Sequence, residues 1–482
     1  MTNQEKIKSI LLKQFGYTHF RKGQEEAILA ALAGKDTLVM LPTGTGKSVC
    51  YQITGYSLEG IVIIVSPLLS LMQDQVDQMK LLGEKRVTAI NSLMSSEERR
   101  WVLSRLNEYK FIFLSPEMLQ QNYVLAKLKT MEISMMTIDE AHCISQWGMD
   151  FRLEYLGLGT VRKELGYPLT MALTATATER VREEILTSLC LEQNNTAQIL
   201  YSVDRPNIAL KTINCHQDKD ERLLKEIKSL SKPGIIYFSS KKKADRIALW
   251  LKEETGYTVE SYHSDIINED KIKIQQQFIQ NEIDIICATS AFGMGINKEN
   301  IRFVIHYHMP ANVESYLQEI GRCGRDGQES IAILLYQAGD QFLQKRLQEQ
   351  SLPNTAMLEY AYRHGKVFEG SSSETQQQMI ENYLSSGTTI EQAKSQILGR
   401  VLQKDRQLDY MMQYSQTTDC KRKYLLHYFN EKLTEKPIHC CSSCGFNDDF
   451  YDSIQEKDTS THFYESKNWK EKITKLFLLE NK

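Results

Sequence analysis

Residues 36–48 read DTLVMLPTGTGKS, an apolar run that stops abruptly at Pro42-Thr43-Gly44-Thr45-Gly46-Lys47-Ser48, ahead of a helical pattern predicted to open at Val49. A strand that breaks into glycines and resumes as a helix builds a phosphate cradle. The glycines let backbone N–H groups turn inward around phosphate oxygens, and the helix N-terminus adds the positive end of its dipole. Lys47 is then placed to neutralise the β- and γ-phosphates of a nucleotide, and Ser48 to ligate Mg²⁺. The strict pattern asks for glycine at position 41, where this chain has Leu41. Such a cradle needs an acid at the end of a neighbouring strand, and Asp139-Glu140-Ala141-His142 follows the apolar run MMTI. Asp139 would hold Mg²⁺ through water, and Glu140 would polarise the water that attacks the γ-phosphate.

Outward from that loop, short β-rich runs alternate with helical patterns: IVIIVS, FIFLS, MMTID and LTMALTA, with LLSLMQDQVDQMKLL as one of the helices between. That alternation predicts a parallel sheet made of βαβ units. A second cycle follows Asp204-Arg205-Pro206-Asn207, with GIIYFSS, YTVESYH, IDIICAT, RFVIHYH and ESIAILLY as strands. The expected division is a first α/β domain over 1–204, a second over 205–340, a helical insertion or linker over 341–404, a cysteine-bearing module over 405–445 and a tail over 446–482. The tail ends in the amphipathic stretch NWKEKITKLFLLE. Within 341–404, two helical patterns joined by a Ser-Gly turn, with Thr388 or Thr389 as N-cap, suggest either a helix-turn-helix or a spacer packed on the cysteine module.

The chain has 482 residues, 41% hydrophobic and 25% charged, which excludes wholesale disorder and a disulfide-stapled miniprotein. With 58 basic and 61 acidic residues, any nucleic-acid binding has to come from a local basic surface. No apolar run is long enough to span a bilayer and no signal-peptide pattern opens the chain, so a cytoplasmic protein without membrane association is expected. Six cysteines are scattered, whereas Cys420, Cys440, Cys441 and Cys444 cluster, which in a reducing compartment suggests a metal before disulfides.

The phosphate loop, Asp-Glu-Ala-His, Leu173-Thr174-Ala175-Thr176-Ala177 and Gln318-x-x-Gly321-Arg322-x-Gly324-Arg325-Asp326 occur in the order seen in superfamily 2 helicases. Three further segments resemble the RecQ family of DNA helicases: Phe15-Gly16-Tyr17-x-x-Phe20-Arg21-x-x-Gln24, Cys143-Ile144-Ser145-Gln146-Trp147-Gly148, and Ala291-Phe292-Gly293-Met294-Gly295-Ile296-Asn297-Lys298. The resemblance is dense over about 10–340 and resumes at roughly 405–445. It implies two tandem RecA-like parallel-sheet domains followed by a helical zinc-binding module, in a short form without the HRDC and winged-helix domains.

The same resemblance implies an ATP site formed by Tyr17, Arg21 and Gln24 near adenine, by Thr43, Gly44, Thr45, Gly46, Lys47 and Ser48 at the phosphates, and by Gln318 from the second domain. An amide such as that of Gln24 matches the donor and acceptor of the adenine edge. Arg325 is implied to be the arginine finger and Arg322 its close partner, so the catalytic set is Lys47, Asp139, Glu140, Arg322 and Arg325. For DNA, Trp147 and Phe151 offer ring faces to unpaired bases and Arg152 a cation for phosphate. Ser66 and Thr289 fall where the superfamily contacts the strand backbone. Relatives usually carry His where this chain has Met149, Pro where it has Leu153, Arg where it has Lys241, and Ala-Gly where it has Ser264-Asp265.

Cys420 at a helix start and the later Cys440-Cys441-x-x-Cys444 resemble the RecQ zinc element, a closed structural Zn²⁺ site. Either all four thiolates bind, or one of Cys440 and Cys441 gives way to His427 or His439. The leading reading is an ATP-dependent 3′→5′ DNA helicase with ATP, Mg²⁺ and Zn²⁺ as cofactors. It would couple hydrolysis to translocation on single-stranded DNA and to duplex unwinding in repair or recombination. Single-stranded and forked DNA are its expected partners, a single-stranded-DNA-binding protein is a candidate protein partner, and the working form is a monomer. The alternative is a DNA-stimulated ATPase that remodels or anneals DNA with weak unwinding. A non-catalytic DNA-binding scaffold is a third reading, against which Lys47, Glu140 and Arg325 argue.

Overall fold

The computed structural model describes residues 2–446 and 450, apart from 93, 146–151, 217, 294–297 and 368–371. The first sheet collects β1 (Asp36–Met40), β2 (Ile61–Val65), β3 (Val87–Ile90), β4 (Phe111–Leu114), β5 (Ile133–Ile138), β6 (Leu169–Thr174) and β7 (Thr196–Leu200) in the order β3-β4-β2-β5-β6-β1-β7. The second collects β8 (Ile208–Asn214), β9 (Gly234–Tyr237), β10 (Val259–Tyr262), β11 (Ile285–Ala288), β12 (Phe303–His306) and β13 (Ser330–Tyr336) in the order β10-β11-β9-β12-β13-β8. Every strand pair is parallel.

All-parallel sheets are covered by helices on both faces, and their inner strands therefore carry apolar side chains at successive positions. β2, Ile-Val-Ile-Ile-Val, is buried throughout. The helix Leu69–Leu81 that follows it buries Met72, Val76 and Met79, the spacing that puts three side chains on one helical face. Ten of these strands coincide with β-rich runs of the sequence, whereas β3, β7 and β8 do not. All three lie at sheet edges, and in β7, Thr-Ala-Gln-Ile-Leu, the pattern is diluted: only Thr196 and Ile199 are buried.

Register aligns the functional loops. Met40 pairs with Thr174, Ile138 with Ala172 and Val65 with Ile138, so β1, β2, β5 and β6 end together. Loops leaving the carboxyl edge of a parallel sheet form its ligand crevice.

The helices Asp340–Ser351, Thr355–His364, Glu374–Ser385, Ile390–Gln416 and Lys421–Tyr428 follow the second sheet. Ser373 and Thr389 each close a capping box, so of the two candidate caps Thr389 is the one used. Leu358, Ala361, Ile380, Tyr383, Ala393 and Ile397 make a small core of their own. Farther along the same helix, Leu408, Met411 and Tyr414 join the core of the second sheet and of the cysteine module. The boundary expected at 404/405 therefore falls inside one continuous helix, Ile390–Gln416. No described helix is long and apolar enough to cross a membrane.

Candidate active site

Leu41 prolongs β1. Its N–H donates to Thr174 O at 3.2 Å and its side chain is fully buried, so this position has no need of glycine. Gly44 does: its φ is +83°, and a Cβ there would lie 2.7 Å from Arg325 Cγ. The helix starts at Lys47, earlier than the predicted Val49, with Gly46 as its N-cap. Lys47 Nζ makes a long 3.4 Å hydrogen bond to Leu41 O, and Ser48 is the helix's second residue. The side chain of Thr45 folds back onto Pro42 O at 2.7 Å.

The segment expected at adenine is engaged with this loop. Gln24, 3% exposed, donates its amide to Thr45 O (2.7 Å) and Gly46 O (3.0 Å) and accepts from Arg21 N (2.9 Å). Buried carbonyls at a loop-to-helix junction need donors, and Gln24 supplies them. Its amide is thus turned to the loop rather than held out for a base edge. The Arg21 guanidinium bonds Gly44 O, and Tyr17 is half-exposed.

Asp139 and Glu140 follow β5. The N–H of Asp139 donates to Val65 O at 2.9 Å, its carboxylate accepts from Glu140 N at 3.0 Å, and Tyr155 holds its carbonyl at 3.1 Å. Burial and the adjacent Glu140 raise the Asp139 pKa, and the nearby Lys47 ammonium opposes them. Two crowded acids facing one ammonium are a setting that a divalent cation would relieve. Glu140 has a left-handed backbone, φ 47°, and lies 3.3 Å from His142, which reaches Thr174 Oγ1 at 3.0 Å.

The second sheet closes over the loop. Gly321 abuts it so tightly that a Cβ would fall 1.7 Å from Thr43 Oγ1, so a side chain there would push the loop and the turn apart. Arg325 follows this turn and lies against Gly44. Burial together with the guanidinium groups of Arg322 and Arg205 pushes its pKa down to about 9. It remains a cation near neutrality, crowded by two others. Arg322, expected as the close partner of Arg325, is buried, bonds Gly293 O after β11 and is one of the two guanidinium groups acting on Arg325. Gln318, on the helix Val313–Ile320, is partly exposed. Lys47 and the paired carboxylates on the first sheet, facing Arg325 from the second, suit a metal-bound polyphosphate.

The four cysteines converge. Their sulfur atoms all lie within 4.8 Å of one another, with Cys420 Sγ 3.6 Å from Cys440 Sγ and 3.8 Å from Cys441 Sγ. Tetrahedral zinc with bonds of about 2.3 Å needs sulfur separations of about 3.8 Å, whereas a disulfide needs about 2.05 Å. The N–H of Lys421 points at Cys441 Sγ at 3.3 Å, a donor that favours a thiolate. Both adjacent cysteines belong to the set. His427 is exposed outside it, and His439 instead faces Glu329 at 3.8 Å. The donor set fits Zn²⁺.

Three family models match in succession: DEAD/DEAH box helicase over 21–185, helicase conserved C-terminal domain over 218–327 and RecQ zinc-binding over 372–446. The chain is 41% identical to the probable ATP-dependent DNA helicase RecS of Bacillus subtilis, over 98% of each chain. The chain belongs to the RecQ family of ATP-dependent DNA helicases. It is 36% identical to the ATP-dependent DNA helicase RecQ of Pasteurella multocida, over 90% of this chain and 61% of that protein. Its fold is similar to that of Dbp5 of S. cerevisiae (TM-score 0.56, 17% identity), over 82% of this chain and 98% of that one.

In this RecQ-family helicase, the residues expected along DNA divide into three groups. Trp147 and Phe151 lie outside the described residues. Arg152 is partly exposed beside them, its N–H held by Cys143 O at 3.0 Å, and Thr289 is partly exposed at the end of β11. Ser66, by contrast, is 1% exposed at the end of β2, which does not present its hydroxyl at a surface. Lys241 and Asp265, both departures from the family pattern, pair with each other at 2.5 Å. The charge of this acid is thereby balanced.

Arg205 and Arg422 belong to none of the motifs above, yet both are central to the contacts around the linker. A charged residue beside proline between two sheets was the available signal. For the metal, one zinc per chain is expected by elemental analysis, and Cys441→Ser should lower the zinc content below half. Because structural zinc contributes about 10–16 kcal/mol in small zinc modules, that variant should also become protease-sensitive after residue 340.

Proposed function

We propose that this helicase hydrolyses ATP between its two sheets to move 3′→5′ along single-stranded DNA and part duplexes during repair or recombination, acting as a cytoplasmic monomer. The observation that carries the reading is the placement of Arg325, from the second sheet, against Gly44 of the phosphate loop that ends in Lys47. The loop's amides and Lys47 bind the polyphosphate, Glu140 takes a proton from the attacking water, and Arg325 meets the charge that grows on the γ-phosphate. Ser48 and Asp139 would hold Mg²⁺, which would supply neutralising charge at the phosphates. Arg325 reaches the nucleotide only when the sheets approach, so each hydrolysis is tied to one closing movement. Trp147, Phe151 and Arg152 follow Glu140 closely in the chain, which supports a coupling of DNA contact to the acid that drives hydrolysis. Thr289 adds a strand-end contact on the second sheet.

The test is ATP hydrolysis with and without single-stranded DNA, alongside strand separation on forks with a 3′ or a 5′ tail. DNA-stimulated hydrolysis with unwinding from the 3′ tail is expected, and Trp147→Ala should hydrolyse at a basal rate that DNA no longer raises. Stimulation without strand separation would move the reading to a remodelling or annealing ATPase. Hydrolysis indifferent to DNA would remove the motor. Titrating a single-stranded-DNA-binding protein into the same assay examines that candidate partner.

A further inference from the structure

Arg205 lies in the linker between β7 and β8, and its guanidinium is spent entirely on main-chain oxygens. Nη1 donates to Thr43 O at 2.7 Å and Gly321 O at 3.2 Å, while Nη2 donates to Cys323 O at 3.1 Å and Gly324 O at 2.6 Å. Thr43 belongs to the phosphate loop of the first sheet. Gly321, Cys323 and Gly324 form the turn that leads into Arg325 on the second. One planar fork therefore ties the two halves of the nucleotide site together, a geometry that guanidinium offers and ammonium does not. With both terminal nitrogens committed to four carbonyls, Arg205 has no terminal donor to spare for a phosphate. Asn207 adds a second brace on the same turn, donating to Gly324 O at 2.9 Å and Gln328 O at 2.8 Å.

The linker is itself gripped from the zinc module. Arg422, two positions past Cys420, is 2% exposed. It bonds the Asp204 carboxylate, Arg205 O at 3.2 Å, Ile208 O at 2.5 Å and Cys440 O at 3.3 Å. Glu431, just past the same helix, accepts from Val203 N at 3.2 Å and from the Ser202 hydroxyl. Thr43, Arg205, Gly321 and Arg422 line one enclosed cavity between the sheets and the zinc helix. The contacts run without a break from the zinc ligands through Arg422 and the linker to Arg205, and from there to both sides of the nucleotide site.

We propose that Arg205 is a positioning residue for ATP hydrolysis. It docks the Gly321–Gly324 turn on the phosphate loop so that Arg325 enters the site, and Arg422 seats it from the zinc module. The proposal rests on the ATP-hydrolysing reading above. It predicts a separation of effects. The loop that binds the nucleotide stays intact without Arg205, whereas the arrangement that delivers Arg325 does not.

The experiment uses the full zinc-loaded chain with saturating single-stranded DNA and the variants Arg205→Ala, Arg205→Lys and Asp204→Asn. Steady-state hydrolysis, affinity for a fluorescent ATP analogue, melting temperature and compaction on binding a non-hydrolysable ATP analogue, by small-angle scattering, are measured on each. Arg205→Ala should lose about 10- to 100-fold in kcat, the cost of misplacing a catalytic group by about an ångström, with analogue affinity within about threefold of wild type. Arg205→Lys should resemble Arg205→Ala, because one ammonium cannot span four carbonyls. Asp204→Asn, which weakens the Arg422 seat and leaves Arg205 in place, should lose about 3- to 10-fold in kcat and keeps the proposal testable if Arg205→Ala fails to fold. Arg205 variants should also compact less with the analogue.

A kcat within twofold of wild type for Arg205→Ala would overturn the proposal. So would a raised KM with kcat unchanged, full rescue by lysine, or a lower melting temperature with undiminished turnover per folded molecule. A wild-type chain that hydrolyses no ATP would instead sink the enzyme reading. Scattering still judges Arg205 in that case, since equal compaction of wild type and Arg205→Lys rejects its role.

Discussion

Arg325→Ala is expected to cut DNA-stimulated turnover by about 10³- to 10⁵-fold while ATP still binds, the range seen when an arginine finger is removed from phosphoryl-transfer enzymes. That is about 4–7 kcal/mol of barrier. The size follows from where the charge sits. Arg325 is partly buried, held beside Gly44, and crowded by Arg205 and Arg322, so its field acts at close range on whatever lies in the loop. Binding should survive because Lys47 and the loop amides belong to the first sheet, on the other side of the interface. Arg325→Lys, which keeps the charge and loses the fork, should recover only part of the rate. Single-turnover hydrolysis and nucleotide affinity, measured on the same preparations, check this. A loss below tenfold would mean that Arg325 is a structural cap on the Gly321–Gly324 turn, not a group that meets the γ-phosphate.

The phosphate loop, the acidic pair and the arginine turn were legible in the sequence because their chemistry constrains side-chain identity at fixed spacing. Inner strands were legible for a related reason: covered on both faces, they are apolar at every position, as in β2. β3, β7 and β8 were not: Val-Thr-Ala-Ile is short and interrupted by a polar residue, and β7 and β8 mix polar with apolar positions as loops do. The zinc site was half legible. The cysteines could be counted, but whether Cys440 and Cys441 both contribute depended on backbone direction, which the sulfur separations now show. The boundary at 404/405 came from where the family resemblance resumes and not from any interruption of helical pattern, so the helix Ile390–Gln416 runs through it.

Arg205 and Arg422 escaped notice for a deeper reason. Nearly all their partners are backbone carbonyls far away in sequence, 162 residues for Arg205 to Thr43 and 214 for Arg422 to Ile208. Every residue carries a carbonyl, so no complementary residue type marks the other end of such a contact. Gln24 shows the converse. Its side chain suits adenine, yet the structure commits its amide to Thr45 and Gly46. Chemical suitability for one partner did not reveal a nearer one.

Lys47→Ala should bring hydrolysis to background, a loss on the order of 10³-fold or more, and abolish the rise in melting temperature that ATP gives the wild type. Lys47 is anchored weakly, by one 3.4 Å hydrogen bond to Leu41 O, so moving its ammonium onto a phosphate costs little. The fold, in contrast, should barely register the change, because two opposing effects meet at this residue. Lys47 is the first residue of the helix Lys47–Ser57, where the helix dipole disfavours a cation by about 0.3–1 kcal/mol. It also offsets the charge of Asp139 and Glu140, and removing it leaves that pair less compensated. The melting temperature without nucleotide should therefore stay near wild type. Lys47→Arg should fail as well, since a longer planar fork cannot occupy the place of a compact ammonium. A residue kept for stability would show the reverse pattern, with a lower melting temperature and a surviving rate. Lost turnover at an unchanged melting temperature marks Lys47 as a group whose partner is the nucleotide.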